Sequence, residues 1–219
     1  MRIEKNRSKK ETKFIHGLIS TVSVIVLMLT GALQGIEPAT GKPLLHSFLN
    51  PNGEMGEFMH SFTVFGDTIL DVFIIAVLVF LPFTTKQVGI PVAATAIVST
   101  ILNKVIKAIV DRPRPEEAYR LLEIGSPSFP SGHAMNNAAI YIAIMMCLLP
   151  LCKTKVQKGI VISIFTIIPL IIGVTRVYFN VHYASDVVCG WCLGAIVALV
   201  MTELVKPGLA NFSKLKKGV

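Results

Sequence analysis

A histidine, a carboxylate and an arginine lie close together in residues 175–188, TRVYFNVHYASDVV. His182 and Asp186 are four residues apart, which on a helix places both side chains on one face within hydrogen-bond reach. A carboxylate bonded to one imidazole nitrogen fixes the tautomer and leaves the other nitrogen with a basic lone pair. Arg176 adds a planar fork of donors that suits phosphate. The pattern is typical of a nucleophile or general base, whereas the same pair standing alone would indicate a satisfied structural contact.

A second charged stretch, KAIVDRPRPEEAYR, follows an apolar segment. Lys107 lies at the edge of that segment, where ionisable side chains are costly and usually functional, and Arg114 follows seven residues later. Pro113 and Pro115 fix φ and push the residues before them into extended conformations, so we expect the preceding helix to end close to Asp111. The alternative for this cluster is a solvated loop whose lysines reach toward water.

The stretch SFPSGHAMNNA, residues 128–138, places polar residues at the start of another apolar segment. Pro130 is expected at or next to the first position of a helix, where its missing N–H costs nothing. The backbone N–H groups of Ser131, Gly132 and His133 would then have no intrahelical acceptors and would form, with the helix dipole, a site for an anion. Gly132 would let a phosphate approach the backbone closely.

The elements that must position these residues are membrane helices. Of the 219 residues, 53% are hydrophobic and 16% charged, with a mean hydropathy of +0.66, which is too apolar for an ordinary soluble domain. A bilayer core needs about 20 apolar residues per spanning helix. The sequence therefore predicts an all-α polytopic membrane protein, a single domain over residues 1–219 with six transmembrane helices. The six segments are residues 14–33, 64–83, 89–110, 131–151, 159–177 and 184–205.

The net charge is +8, and the distribution of the basic residues indicates membrane topology rather than a nucleic-acid-binding surface. Basic residues concentrate in the N-terminal tail 1–13, the loop 153–158 and the C-terminal tail 206–219, which six spans place on one face. The positive-inside rule makes that face cytoplasmic, with both termini on it. No nucleic-acid partner is expected. We interpret the first apolar segment as a retained helix, because no clear cleavage site of a signal peptide follows it.

The same topology gathers the charged stretches at the opposite, non-cytoplasmic face. The residues gathered there are Lys107, Arg112, Arg114, His133, Arg176, His182 and Asp186. The glutamates of the same loop lie farther from the helix end and are expected to be mostly solvated. These are Glu116, Glu117 and Glu123. The remaining charge predicts an anionic ligand with more than one charge, for which phosphate is the natural candidate.

Three motifs, in this order, resemble those of the type 2 phosphatidic acid phosphatase superfamily, which are integral-membrane lipid phosphate phosphatases. The family's motifs are K-x6-R-P, P-S-G-H and S-R-x5-H-x3-D. In this chain they begin at Lys107, Pro130 and Thr175, with the family's spacing throughout. The one departure is Thr175, which stands where the family usually has serine and keeps a hydroxyl. The resemblance covers roughly residues 104–186.

The resemblance implies a role for each matching residue. His182 would attack the phosphorus and form a phosphohistidine, with Asp186 orienting it. His133 would protonate the leaving lipid oxygen and then help to activate water. The phosphate oxygens would be bound by Lys107, Arg114, Ser131, Gly132 and Arg176. The family works without a metal or other cofactor, and no compact set of residues with metal-ligand spacing lies near this face.

The function that the resemblance implies is hydrolysis of lipid phosphates or diphosphates at the outer face of a bacterial cytoplasmic membrane. Its partners would be the lipid substrate and membrane lipids. Phosphatidylglycerophosphate, phosphatidic acid and undecaprenyl diphosphate are the implied substrates, and an outward-facing site favours the last. A phosphotransferase with a lipid or sugar acceptor would use the same motifs. An anion channel or transporter is disfavoured, because a filter needs neither two histidines nor an oriented Asp186 and because paired helix breakers in two halves are missing.

Some polar residues outside the motifs remain without a role. Lys104 lies deeper in the third apolar segment, and Asp67 or Asp71 could pair with it or with a motif cation. The alternative for Asp67 is a helix N-cap or first-turn carboxylate. Asn136 and Asn137 are expected to satisfy neighbouring polar groups.

Overall fold

Helices make up the regular structure of the described part of the chain. The computed structural model describes residues 53–81 and 84–215, in which no β-strand occurs. The α-helices of these residues are α1 Glu54–Thr63, α2 Thr68–Phe80, α3 Ile90–Val110, α4 Gly132–Leu148, α5 Lys155–Tyr178 and α6 Ala184–Leu215. The predicted first span, residues 14–33, and the N-terminal tail lie outside the described residues. For the residues that are described, the predicted all-helical class is confirmed.

Of the helices in these residues, four are long and apolar enough to cross a membrane. They are Gln87–Val110, Gly132–Leu151, Lys155–Tyr178 and Ala184–Val205, and they correspond to the third to sixth predicted segments. α1 and α2 together form a fifth candidate as a bent pair. Six spans and the orientation of the termini therefore stay predictions. The predicted C-terminal tail, residues 206–219, begins inside α6 rather than after it.

The second predicted span, residues 64–83, is interrupted rather than continuous. A 3₁₀ turn, Val64–Gly66, separates α1 from α2, and the two helices meet at 45°. Gly66 lets this bend pack against α5, because a Cβ at this position would lie only 2.6 Å from Ile172 Cγ2. The break could not be predicted from the sequence, because this contact joins residues far apart in the chain.

α4 is the central helix and packs against α3, α5 and α6. Its Ile140 shares a buried apolar cluster with Val92 of α3 and Ala198 of α6. α4 and α6 approach closely because α6 presents a glycine, and a Cβ at Gly194 would lie 2.2 Å from the carbonyl oxygen of Met135. This packing fixes the amino ends of α4 and α6 relative to each other.

Backbone hydrogen bonds tie the connecting segments together at one end of the bundle. Ser131 N–H donates to Asp186 O at 3.0 Å, Ser128 N–H to Arg112 O at 2.8 Å, and Leu121 N–H to Phe179 O at 3.0 Å. α3 ends before Asp111, which has a left-handed φ of 43°, in agreement with the helix end predicted from the prolines. The α3–α4 loop is thus fastened both to the end of α5 and to the start of α6.

Candidate active site

The predicted site residues meet at the end of the bundle where α3 and α5 end and α4 and α6 begin. They are Lys107 of α3, Arg114 of the α3–α4 loop, Ser131, Gly132 and His133 at the start of α4, Arg176 of α5, His182 of the α5–α6 turn and Asp186 of α6. Arg114 Nη1 lies 3.2 Å from His182 Nε2, and both Arg114 and Arg176 lie close enough to His133 to act on its charge. Residues from all three charged or polar stretches of the sequence therefore form one cluster.

His182 and Asp186 are in contact, but they do not lie on one helix. α6 begins at Ala184, so His182 belongs to the preceding turn and Asp186 to the first helical turn. Asn180 has a left-handed φ of 54°, which helps to reverse the chain after α5. His182 Nδ1 lies 3.4 Å from Asp186 Oδ2, and the two side chains are 3% and 0% exposed. The predicted contact is present, whereas the predicted helical geometry is wrong because the chain turns between α5 and α6.

The two ring nitrogens of His182 have different partners. Nδ1 faces a carboxylate, which accepts a hydrogen bond, so Nδ1 is assigned the proton and Nε2 the lone pair. Arg114 Nη1 donates to Nε2. Burial lowers the pKa of His182 from 6.5 to about 3, and the hydrogen bond to Asp186 opposes this shift without overcoming it. The imidazole is therefore neutral at pH 7 with its lone pair at Nε2, which is the form that a nucleophile requires.

Asp186 is held in place by several donors. Arg112 Nη1 lies 2.6 Å from Asp186 Oδ1 and also donates to Ser185 Oγ at 2.8 Å. Asp186 Oδ2 accepts from Ser128 Oγ and from the N–H of Tyr183, the latter at 3.0 Å. The guanidinium of Arg112 stacks on the ring of Tyr183, 4.1 Å from its centroid. The carboxylate that contacts His182 is thereby fixed in position and supplied with a compensating charge.

Lys107 and Arg114 are anchored by backbone carbonyl oxygens around the site. Arg114 Nε donates to Ser126 O at 2.7 Å, and Arg114 Nη1 donates to Val181 O at 2.6 Å. Lys107 Nζ donates to the carbonyl oxygen of Pro127. Burial lowers the pKa of Arg114, but a guanidinium remains protonated at neutral pH. Both cations therefore have defined positions beside the nucleophile.

Arg176 is a buried cation with a spare donor. Its side chain is 3% exposed, and its Nη1 donates to Thr63 Oγ1 of α1 at 3.0 Å. In the part of the chain that the structure describes, its Nε has no hydrogen-bond acceptor. Thr175, at the position of the family's serine, uses its hydroxyl to donate to Ile172 O at 2.7 Å. A buried guanidinium N–H without an acceptor is costly, which makes this nitrogen suited to an anionic ligand.

The amino end of α4 differs from the prediction. Ser131 is the N-cap, and Pro130 lies one position before it, outside the helix. The N–H of Ser131 donates to the carbonyl oxygen of Asp186, and its hydroxyl caps the first turn. The predicted free N–H of Ser131 is therefore wrong, because that group ties α4 to α6. The N–H groups of Gly132 and His133 have no acceptor among residues 53–81 and 84–215, so the predicted anion site would consist of these two groups and the Ser131 hydroxyl hydrogen.

His133 faces the bend between α1 and α2. Its Nε2 lies 3.7 Å from Oδ1 of Asp67, and the two side chains are 29% and 53% exposed. Asp67 is the N-cap residue of α2, but its side chain makes no capping hydrogen bond. Lys104 is exposed and forms no ion pair with any acidic residue that the structure describes. The hypothesis that Lys104 pairs with Asp67 or Asp71 is therefore wrong, and Asp67 instead faces a motif histidine.

Other acidic side chains do not enter the site. Glu116, Glu117 and Glu123 are exposed, as predicted. Among the described residues, no three His, Cys, Asp or Glu side chains are arranged to hold a metal ion. Apart from Asp67 and Asp186, the polar groups of the site are cations, N–H donors and imidazoles.

A comparison with protein families agrees with this geometry. Residues 88–208, more than half of the chain, match the family model described as the PAP2 superfamily. The chain belongs to the PAP2 superfamily. The resemblance predicted from the three motifs is thereby confirmed.

Curated relatives of this PAP2 protein are named as phosphatases. Phosphatidylglycerophosphatase B of Bacillus subtilis is 40% identical over 98 residues, which are 44% of this chain and 48% of that protein. Undecaprenyl-diphosphatase of Sulfolobus acidocaldarius is 25% identical over 129 residues, which are 57% of this chain and 58% of that protein. The match thus spans about half the length of these relatives.

Solved structures share the fold of this PAP2 protein. The first transmembrane PAP2 type phosphatidylglycerolphosphate phosphatase from Bacillus subtilis has a TM-score of 0.71 at 28% identity, covering 85% of this chain and 94% of that one. Aquifex aeolicus LpxE has a TM-score of 0.57 at 22% identity, covering 74% of this chain and 92% of that one, and shows likeness of fold alone. The likeness to a transmembrane structure and the apolar helices together identify a membrane protein.

Residues outside the three PAP2 motifs complete the site. Arg112 and Ser128 bind Asp186, while Thr63 and Asp67 enter from the region of the α1–α2 bend. Arg112 carried a signal in the sequence, because the extended backbone enforced by the neighbouring prolines places alternate residues on one side. Asp67 was a candidate partner of a motif cation, whereas Ser128 and Thr63 carried no such signal, since their positions depend on how distant segments pack.

Proposed function

We propose that this PAP2 protein hydrolyses lipid phosphates or diphosphates through a phosphohistidine intermediate and without a metal ion. The observation that carries the proposal is the neutral His182, whose Nε2 faces the guanidinium of Arg114 while Asp186 binds the opposite nitrogen. A purely structural His–Asp pair needs no cation at its outward nitrogen. A nucleophile that attacks a phosphate dianion does need one, because the negative charge must be compensated at the point of attack.

In the first step, His182 Nε2 attacks the phosphorus, and an N–P bond forms as the P–O bond to the lipid breaks. The electron pair of the broken bond goes to the leaving oxygen, which takes a proton from His133. The Nδ1 proton stays on His182, and Asp186 stabilises the positive charge that develops on the ring.

In the second step, water attacks the phosphorus from the side that the lipid has left, and the N–P bond breaks. The neutral His133 takes a proton from the attacking water and regains its charge. Inorganic phosphate is released, and His182 returns to its neutral state. Each turnover consumes one water molecule, and the reaction needs no co-reactant other than water.

The phosphate oxygens are bound by donors from α3, from the α3–α4 loop, from the start of α4 and from α5. The proposed ligands are Lys107, Arg114, Ser131, Gly132 and Arg176. Phosphoryl transfer depends mainly on positioning and on charge stabilisation at the equatorial oxygens, and the three cations among these residues supply that charge. The buried Nε of Arg176, which has no acceptor within the described residues, supports its place in this set.

Membrane lipids are the proposed substrate class, because the site lies at the end of helices that are apolar enough to span a bilayer. The names of the relatives support phosphatidylglycerophosphate and undecaprenyl diphosphate as candidates, beside phosphatidic acid. We place the chain in a bacterial cytoplasmic membrane as one domain with six spans and both termini inside. The basic tail 1–13 and the basic loop 153–158 support this orientation, which puts the site on the non-cytoplasmic side.

Phosphate release by the purified protein in detergent tests the proposal. The substrates are the three candidate lipids, and excess EDTA is present throughout. We expect turnover that His182→Ala abolishes and His133→Ala strongly reduces, whereas Lys104→Gln, an exposed lysine outside the motifs, leaves turnover unchanged. Turnover that stops in EDTA, or full activity of His182→Ala, would contradict the proposed chemistry.

A further inference from the structure

The bend between α1 and α2 contributes an acidic residue to the site from outside the three motifs. Asp67 is the residue at which the two helices meet, and its Oδ1 lies 3.7 Å from His133 Nε2. This separation is longer than a direct hydrogen bond and lies within the range of an ion pair. Asp67 therefore acts on the charge of the imidazole without holding its proton tightly.

Packing of the bend against α4 fixes this relationship. Asn137 Nδ2 donates to two carbonyl oxygens, that of His133 at 2.9 Å and that of Gly66 at 3.3 Å, and so bridges the two segments. A Cβ at Gly66 would lie 3.3 Å from His133 Cδ2 and 2.6 Å from Ile172 Cγ2, so only glycine allows this approach without displacement. Because Asp67 follows Gly66 directly, the same contacts determine where its carboxylate lies.

The charges around His133 make this carboxylate significant. The charged groups that act on the ring are Arg176, Asp67 and Arg114. Burial of the ring opposes a protonated imidazole most strongly, and the two cations among these groups oppose it as well. Asp186, at the back of the site, is already bound by Arg112, Ser128 and His182. Asp67 is thus the negative group that favours the protonated ring, the form required of a general acid.

We propose that Asp67 is a positioning residue that keeps His133 oriented and protonated for transfer of its proton to the leaving oxygen. This inference rests on the proposed function. When the P–O bond breaks, the leaving oxygen takes the proton, and the neutral His133 is ready to accept one from water in the next step. In this scheme the proton passes from His133 to the leaving oxygen, and Asp67 takes no part in its transfer.

Leaving-group dependence separates this role from a merely structural one. Asp67→Asn is compared with wild type on an alkyl phosphate monoester, whose leaving alkoxide needs a proton, and on p-nitrophenyl phosphate, whose leaving phenolate does not. We expect kcat/KM for the alkyl ester to fall about tenfold or more, since general acid catalysis contributes about 10²–10⁴-fold in rate. The rate with p-nitrophenyl phosphate should change by less than about twofold. The limb of the alkyl-ester profile on which the rate falls with rising pH should move to lower pH.

Two further variants complete the experiment. Asp67→Glu keeps the charge and should restore part of the alkyl-ester rate. Asp71→Asn is the matched control, because it makes the same chemical change four residues farther along α2, at a buried carboxylate that forms no ion pair with a described histidine. It should not alter the ratio of the two rates.

Three outcomes of this experiment would overturn the proposed role of Asp67. An equal loss on both substrates in Asp67→Asn, with no recovery in Asp67→Glu, would reduce Asp67 to a structural residue and overturn the proposal. An unchanged alkyl-ester rate would overturn it as well. Wild-type protein that releases no phosphate from either substrate would refute the proposed function itself, and the positioning role with it.

Discussion

Arg112 and Asp186 form a buried ion pair in which Nη1 lies 2.6 Å from Oδ1 and the side chains are 8% and 0% exposed. Asp186 also contacts His182, the proposed nucleophile. The ion pair joins the loop after α3 to the first turn of α6, two segments that are remote in the sequence. The orientation of the nucleophile therefore depends on an arginine whose role the sequence motifs did not indicate.

Loss of Arg112 is expected to reduce both stability and activity. Removing one partner of a buried ion pair leaves an uncompensated charge and typically costs about 3–5 kcal/mol. We expect Arg112→Gln to lower the melting temperature in detergent and to lower kcat by more than about tenfold, since Asp186 would no longer be held. Lys104→Gln, which removes an exposed cation of the same region, serves as the control. Activity close to wild type in Arg112→Gln would show that Ser128 and Tyr183 suffice to hold the carboxylate.

In the mildly acidic range, the pH profile of kcat/KM should show no fall caused by protonation of His182. A histidine whose pKa is lowered to about 3 keeps its lone pair above that value and loses it only as the pH falls through it. We expect kcat/KM, corrected for ionisation of the substrate, to show no acid limb near pH 6.5 and to decline on the high-pH side as His133 loses its proton. An acid limb centred near the ordinary histidine value of 6.5 would contradict a neutral buried His182. A rate that rises continuously into the alkaline range would count against the acid role of His133.

The phosphohistidine should accumulate when the second step is slowed. With p-nitrophenyl phosphate, the first step needs no acid, so His133→Ala should still form the N–P bond while failing to activate water. Rapid quenching at alkaline pH should then reveal protein-bound phosphate that is lost in acid. His182→Ala, treated in the same way, should carry none. Labelling of both variants to the same extent would place the covalent phosphate elsewhere.

Gly132 should matter for anion binding rather than for folding. A Cβ at Gly132 would lie 3.3 Å from Asn103 Oδ1 and would crowd the N–H groups at the start of α4, whereas a Cβ at Gly125 would meet nothing within 4 Å. We expect Gly132→Ala to weaken inhibition by inorganic phosphate by about tenfold, because the backbone donors become less accessible. Gly125→Ala should leave inhibition unchanged. Equal inhibition constants in the two variants would exclude close approach of phosphate to this backbone.

The sequence predicted the residues that meet at the site because helix boundaries are local features. Prolines after Asp111 end α3, and a serine caps α4, so the alternating direction of successive membrane helices brings these ends to one side. The motif spacing then identifies the residues that are expected to form the site. These helix boundaries can be predicted without knowing which helices touch.

What the sequence did not predict depends on contacts between distant segments. The bend at Asp67 is accommodated by the approach of Gly66 to Ile172, more than a hundred residues away. The N–H of Ser131 is engaged because α4 and α6 pack closely enough for it to reach Asp186 O. An apolar composition is the same for a straight helix and for a broken one, so it cannot distinguish these cases.

The hydrogen bond from Arg114 to His182 keeps the reactive nitrogen covered. A molecule reaches that nitrogen only if it offers the guanidinium a stronger acceptor, and a phosphate with two negative charges does so. The neutral ester carbonyls of the surrounding bilayer, which vastly outnumber such phosphates, do not. In the proposed function, the same cation would both bind the substrate and shield the nucleophile from the lipids that surround it.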